Sequence, residues 1–273
     1  MQYMENYFDK RLDPGLLVDG ARTVISLMMN YFPDSTPATE LKISKYALNV
    51  DYHFVIKKRL FEMTEIIKEK VGDFNYRVFV DSAPILDRAW AVESGIGWIG
   101  KNSMLISRKS GSFYFLAEIV CDLEPEYDVP FSGNYCGDCT RCIDSCPTEA
   151  ITNNKTIDAN KCISYLTIEL KDEIDSSFKG KLNDWIFGCD ICQDVCPWNK
   201  FQPVHSVEEF TPSGKWTEWT VDEWQMMGKP LFNELFRNSA VKRAGFAKLK
   251  NTITFVALKK DDEHTRNFEK SKD

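Results

Sequence analysis

Residues 136–147 read CGDCTRCIDSCP, and residues 189–197 read CDICQDVCP. In the first stretch Cys136, Cys139 and Cys142 are each separated by two residues, and Cys146 follows after three more with Pro147 behind it. That spacing lets three thiolates converge on one 4Fe–4S cubane, while the fourth cysteine, turned away before a proline, reaches a second cubane. The second stretch offers Cys189, Cys192 and Cys196 before Pro197, one cysteine short of the same pattern, and Cys162 lies between the two. Eight of the nine cysteines are thereby accounted for, enough for two cubanes. The crossing rule gives one cluster Cys136, Cys139, Cys142 and Cys196, and the other Cys146, Cys162, Cys189 and Cys192. The alternative exchanges Cys146 and Cys196. Paired CxxC motifs also bind structural zinc, but zinc sites are usually two separated pairs. Cys121, at the end of an apolar strand, is read as a buried packing thiol.

The rest of the 273 residues must build what surrounds this bacterial ferredoxin-like block. Hydrophobic residues at 43% suffice for a sizeable core. No run is long and apolar enough for a membrane span. The opening MQYMENYFDKRLDPG lacks the basic and apolar regions of a signal peptide. A cytoplasmic protein is expected, and its cysteines are then unsuited to disulfides. A net charge of −7 does not advertise a nucleic-acid binder, although a local basic patch remains compatible with it.

Ahead of the block, residues 23–32 (TVISLMMNYF) read as a buried strand, and from Tyr52 an apolar stripe predicts a helix closed by Gly72. Residues 76–80 read as a strand. Ser82 is expected to cap a helix starting near Pro84 and ending at Gly95. Two strands, 104–107 and 112–120, are expected around a turn at 108–111. An acidic, proline-bearing stretch at 122–133 suggests a boundary, giving segments 1–125, 126–202 and 203–273, with a frayed charged tail from Lys259. The overall class is α+β.

Two clusters move electrons but bind no substrate, so the first segment is expected to hold the reaction centre. Gly95, Gly97 and Gly100 match GxGxxG, but a helix precedes them and a strand follows, the reverse of a dinucleotide site. Their expected use is to let backbone pass close to a flat cofactor. Asp81 stands where a strand meets a helix, and partial burial there would raise its pKa toward proton donation. Lys101 and Asn102 follow the glycine loop and can reach the same place. His53 opens the long helix, as a cap or as a cofactor contact. His205 and His264 carry no signal.

Taken in order, residues 6–14 (NYFDKRLDP), 45–47 (KYA), 51–53 (DYH), 80–84 (VDSAP), 95–102 (GIGWIGKN), 111–113 (GSF), the first cysteine block and 188–199 (GCDICQDVCPWN) resemble the epoxyqueuosine reductase family. The resemblance implies a nitroreductase-like α/β domain holding cobalamin beside a two-cluster domain. It implies reduction of epoxyqueuosine to queuosine at the tRNA wobble position, with electrons passed singly from an external low-potential donor. Asp81 is then the proton donor, and Arg11, Tyr52, His53, Lys101, Asn102 and Ser164 are expected near the corrinoid. Longer members carry an opening helical segment and a closing helical repeat that this sequence lacks. Lys171, Lys179, Lys181 and the 242–250 stretch are therefore candidates for tRNA phosphate contacts. A monomer is expected. The competing readings are a reductive dehalogenase-like corrinoid enzyme and an electron-transfer subunit with no substrate site of its own.

Overall fold

The computed structural model describes residues 5–81, 83–152 and 155–270, with 259–270 as backbone alone. A short helix α1 (Phe8–Leu12) leads into strand β1 (Thr23–Asn30), and a two-residue strand β2 (Lys42–Ile43) follows. Helix α2 (Tyr52–Val71) starts at Asp51, whose side chain accepts from the His53 amide, and stops at Gly72 with φ 86°. Its buried stripe of Val55, Ile56, Leu60 and Thr64 follows the helical period read from the sequence. Strand β3 (Tyr76–Phe79), helix α3 (Asp87–Glu93), strands β4 (Trp98–Ile99) and β5 (Leu105–Ile106), and strand β6 (Tyr114–Cys121) complete the first part.

The central sheet is antiparallel in the order β1-β6-β3, with Ile25 and Val78 both opposite Ile119. Side chains alternate along β6. Phe115, Ala117, Ile119 and Cys121 face α2, while Val120 joins Phe79, Ile85 and Trp90 on the α3 side. Cys121 is fully buried, as a packing thiol should be.

Three local expectations change. Helix α3 begins at Asp87 with Leu86 as its uncapped first residue, three positions past Pro84, because residues 83–86 bend instead of coiling. Ser82, the expected cap, lies outside the described residues. Strand β5 does leave through a turn closed by the Ser107–Gly111 bridge, yet it pairs with β4 and not with β6. The glycine loop serves that small hairpin. A Cβ on Gly97 would sit 2.1 Å from the Ile106 carbonyl oxygen, so the close approach is to β5 backbone rather than to a flat cofactor.

Beyond β6 come two four-residue helices in the cysteine runs, α4 (Arg141–Asp144) and, after α5 (Ile163–Ile168) and β7 (Trp185–Phe187), α6 (Ile191–Asp194). Helices α7 (Val221–Met226), α8 (Lys229–Leu235) and α9 (Gly245–Lys270) end the chain. Strand β7 pairs in parallel with β2, joining the second cysteine run to the N-terminal part. The largest core cluster mixes Leu41 and Ile43 with Ile163, Phe187, Trp224, Phe232 and Leu249. Residues expected to fray from Lys259 continue α9 as helix, a stretch with neither Gly nor Pro to stop it.

Candidate active site and cluster centre

Asp81 follows the end of β3 in a left-handed conformation, φ 57°, uncommon for a residue other than glycine. Its Oδ2 accepts from the Tyr52 hydroxyl at 2.6 Å and lies 3.6 Å from His53 Nε2 and 3.8 Å from Arg243 Nη1. The first turn of α2 thus presents Tyr52 and His53 to the end of β3. Tyr52 is held by stacking on Phe115, with ring centroids 4.1 Å apart. His53 Nδ1 lies 2.6 Å from Asp51 Oδ1, so the imidazole bridges two carboxylates.

The charges follow from this geometry. Burial alone would lower His53, but its hydrogen bonds to Asp51 and Asp81 outweigh it and raise the imidazole to about 9. The expected upward shift of Asp81 is not found. The hydrogen bond from His53 holds its carboxyl below the usual range despite burial, with Tyr52 and Arg243 adding to the effect. The proton therefore rests on His53, not on Asp81. Arg11 donates to the Asn6 carbonyl and lowers the neighbouring Asp87, which burial otherwise raises.

The eight cysteines fall into two sets. The Cys142 thiol is pushed up by burial and by Cys196 and Cys136, and Cys196 by burial and by Cys136 and Cys139. Cys162 is raised by burial and by Cys146, and Cys189 by burial, Asp190, Cys162 and Cys146, to about 12. Cys192 is raised by burial, then by Cys189 and Cys162, by Asp190, and by Cys142 across from the other set. Such thiols resist ionising together unless cationic charge sits among them, which suits iron. Among the described residues no three His, Cys, Asp or Glu side chains converge tightly enough for a single metal ion. Cys162 opens α5, and the amides of Tyr165 and Ser164 point to its sulfur, which places Ser164 beside the second set.

Lys101 and Asn102 reach these loops. Lys101 Nζ donates to the carbonyls of Gly137 and Cys139 at 2.8 and 3.0 Å, and buried Asn102 donates to the Cys192 carbonyl at 3.3 Å. Arg88, beside Asp87, donates to the Ser103 carbonyl in the same turn. Hydrogen bonds thus tie α3 and the turn after β4 to both cysteine runs, and the charge of Asp81 is felt at Asp87, the first residue of α3. On the far side, buried Asp190 accepts from the Ser44 hydroxyl and from the Lys45 amide at 2.8 Å, and Lys45 Nζ lies 2.6 Å from Asp194. Trp98, Tyr135 and Trp198 pack edge to face next to Cys136 and Cys196.

Sequence reading missed three residues. Arg243 stands in the 242–250 stretch assigned to phosphate contacts but turns to Asp81. In the same stretch Lys242 reaches Asn233, and Lys250 reaches the carbonyls of Gln225 and Met227. Asp190 was concealed among the cysteines. Glu118 carried a legible signal, a lone acid in the apolar strand YFLAEIVC.

An α+β scaffold with a proton-bearing site and eight cysteines in ferredoxin-like runs defines an iron–sulfur redox enzyme. Residues 135–199 match the model of the 4Fe–4S double cluster binding domain, and residues 11–82 match that of Epoxyqueuosine reductase QueG, DUF1730. An epoxyqueuosine reductase of Cellulophaga algicola is 54% identical over 257 residues, covering 94% of this chain and 84% of its own. The crystal structure of an epoxyqueuosine reductase with an epoxyqueuosine-modified tRNA-Tyr stem loop superposes with a TM-score of 0.85 at 29% identity, over 92% of this chain and 68% of that one. A Bacillus subtilis epoxyqueuosine reductase, solved with its catalytic aspartate loop swung out of the active site, gives a TM-score of 0.83 at 28% identity, over 93% of this chain and 69% of that one. The chain belongs to the epoxyqueuosine reductase family.

Proposed function

We propose that this protein reduces epoxyqueuosine to queuosine at the wobble position of tRNA, the last step of queuosine formation. The observation that carries the reading is the half-exposed Asp81 carboxylate, oriented by Tyr52, His53 and Arg243, in a chain whose cysteine runs match the 4Fe–4S double cluster domain. The stem loop bound by a related enzyme is the matching substrate.

Cys136, Cys139, Cys142 and Cys196 are assigned to one 4Fe–4S cluster, and Cys146, Cys162, Cys189 and Cys192 to the other, on the crossing rule of ferredoxin spacing, with most of the thiol couplings falling within these sets. Cobalamin is assigned to the nitroreductase-like N-terminal domain. The residues fit it: the half-exposed Asp81 carboxylate beside His53 and the buried Tyr52, with Arg11 acting on Asp87, Lys101 and Asn102 bracing the cysteine loops, and Ser164 beside Cys162. When bound, the corrinoid supplies the reducing chemistry and the clusters feed it single electrons from an external low-potential donor.

The chain's own residues handle the protons. His53 stores one between Asp51 and Asp81, and Asp81 delivers it to the departing oxygen. Tyr52 fixes the carboxylate's direction. The enzyme is assigned to the cytoplasm and acts as a monomer, and no helix among the described residues is long and apolar enough to cross a membrane.

The test is anaerobic turnover. The protein, with clusters reconstituted and cobalamin added, is given a low-potential reductant and an epoxyqueuosine-modified tRNA stem loop. Conversion to queuosine is expected, and its absence with both clusters present overturns the reading.

A further inference from the structure

The proposed reaction consumes two protons. Both bonds from carbon to the epoxide oxygen break, a carbon–carbon double bond forms, two electrons arrive from the external donor, and the oxygen leaves as water. His53 and Asp81 account for one proton. Resting on that functional reading, we propose that Glu118 and Asp87 store the second proton and recharge Asp81 from inside the sheet.

The geometry begins with β6. Glu118 lies opposite Ser26 of β1 and Phe79 of β3, so the three share one face of the sheet. Phe79 and Val120 mark that face as the one covered by Ile85 and α3, which begins at Asp87. Asp81 follows Phe79 by two residues on the strand that borders Glu118. Glu118 is 0% exposed, and neither carboxylate oxygen has a hydrogen-bond partner among the described residues. The Ser26 hydroxyl beside it is also buried without one.

A fully buried, unpaired carboxylate is among the costliest groups a fold can hold, and such a group takes a proton instead. Burial, with Asp87 and Asp81 as like-charged neighbours, raises Glu118 to about 8. Asp87 is raised by burial and by Asp81. Among the described residues no cation pairs with Glu118. Arg77 of β3 lies over the Phe79 ring and donates to the Leu17 carbonyl. Arg88 of α3 is spent on the Ser103 carbonyl, and Arg11 acts on Asp87. Arg22, at the start of β1, pairs with Glu124. Burial and the like charge of Asp87 and Asp81 hold the proton on Glu118, so it moves outward only as the departing oxygen draws a proton from Asp81. Glu118 has no exposure of its own, so it discharges and refills through Asp87. It keeps one proton available while bound tRNA covers the site.

The test uses the cluster- and cobalamin-loaded enzyme with the modified stem loop. Glu118→Gln keeps the shape and removes the exchangeable proton. The expected result is intact cluster absorption, unchanged KM, and a kcat lowered roughly tenfold or more. The deficit relative to wild type should be largest below pH 8 and shrink above it, where wild type itself loses the Glu118 proton. Glu118→Gln with the wild-type pH profile overturns the proposal, and so does a variant whose only defect is weaker cobalamin retention. If Glu118→Gln fails to fold, infrared spectroscopy of the wild type decides. A protonated carboxylic acid carbonyl band that titrates near pH 8 supports the proposal, and no such band at neutral pH overturns it. An inactive wild type overturns the functional reading and this proposal with it, whereas an active wild type matched by Glu118→Gln overturns this proposal alone.

Discussion

His53 Nε2 lies 3.6 Å from Asp81 Oδ2. The ring's other nitrogen is occupied by Asp51 at 2.6 Å, so the imidazolium is clamped between two carboxylates and its pKa rises to about 9. His53 is thus charged across the neutral range, and its own contribution to turnover should persist until pH passes about 9. His53→Gln removes that proton store. We expect kcat to drop by on the order of a hundredfold and the alkaline fall in rate to begin at lower pH. The stability effect has a definite sign. The folded state binds the proton more tightly than the unfolded chain, so His53 contributes fully below its ordinary 6.5 and loses the contribution as pH rises through about 9. Melting temperatures of wild type and variant should therefore differ most at acidic pH and converge above pH 9.

Asp81→Asn separates chemistry from folding. The amide oxygen can still accept from the Tyr52 hydroxyl, so the end of β3 keeps one anchor. Both clusters should form normally, visible in absorption and electron paramagnetic resonance, while turnover of the modified stem loop falls at least about a hundredfold. Near-normal turnover would remove Asp81 from proton delivery.

Cysteine spacing made the cluster centre legible because the ligands are covalent neighbours whose distances the backbone sets. Helix α2 was legible for a similar reason: a stripe ending in Gly72 is a local signal. The charge state of Asp81 was not. It depends on His53, 28 residues earlier, and on Arg243, more than 160 residues later, and no local pattern announces such meetings. Helix α3 was placed too early because the sequence offered Pro84 as a favoured first residue, while the chain bends through 83–86 and packs Ile85 under the sheet. The hairpin partner of β5 was misplaced because strand pairing is a tertiary choice. Only the approach of Gly97 to the Ile106 carbonyl reveals it.

Lys101 places its ammonium against the carbonyls of Gly137 and Cys139, within the loop that carries three cysteines. Hydrogen bonds and charge near a cluster set its potential. Lys101→Met removes a positive charge there and should shift the reduction potential of that cluster to a more negative value in a redox titration, leaving the other cluster less affected. Asn102→Ala acts through packing instead. It strips a donor from the Cys192 carbonyl inside a buried contact, at a cost of about 1–3 kcal/mol, and should lower the melting temperature with little change in potential.

Gly111 and Gly137 both have positive φ, at 72° and 48°, yet alanine should be far worse at the first. A Cβ on Gly137 meets nothing within 4 Å, so Gly137→Ala bears only the left-handed strain, about 1–2 kcal/mol. A Cβ on Gly111 would lie 2.1 Å from Asn199 Oδ1 and 2.4 Å from Gln202 Oε1. Asn199 cannot yield freely. Its Oδ1 accepts from the Ser112 amide at 2.7 Å, and its Nδ2 donates to the Gln193 carbonyl at 2.7 Å, one residue past Cys192 and three before Cys196. Displacing it leaves buried groups unpaired, a further cost of about 1–3 kcal/mol. The same movement disturbs the loop between Cys192 and Cys196. Gly111→Ala should therefore lower both the melting temperature and the iron content of the purified protein, while Gly137→Ala lowers only the first, and modestly. Equal iron content in the two variants would show that Asn199 does not couple the Gly111 turn to the clusters.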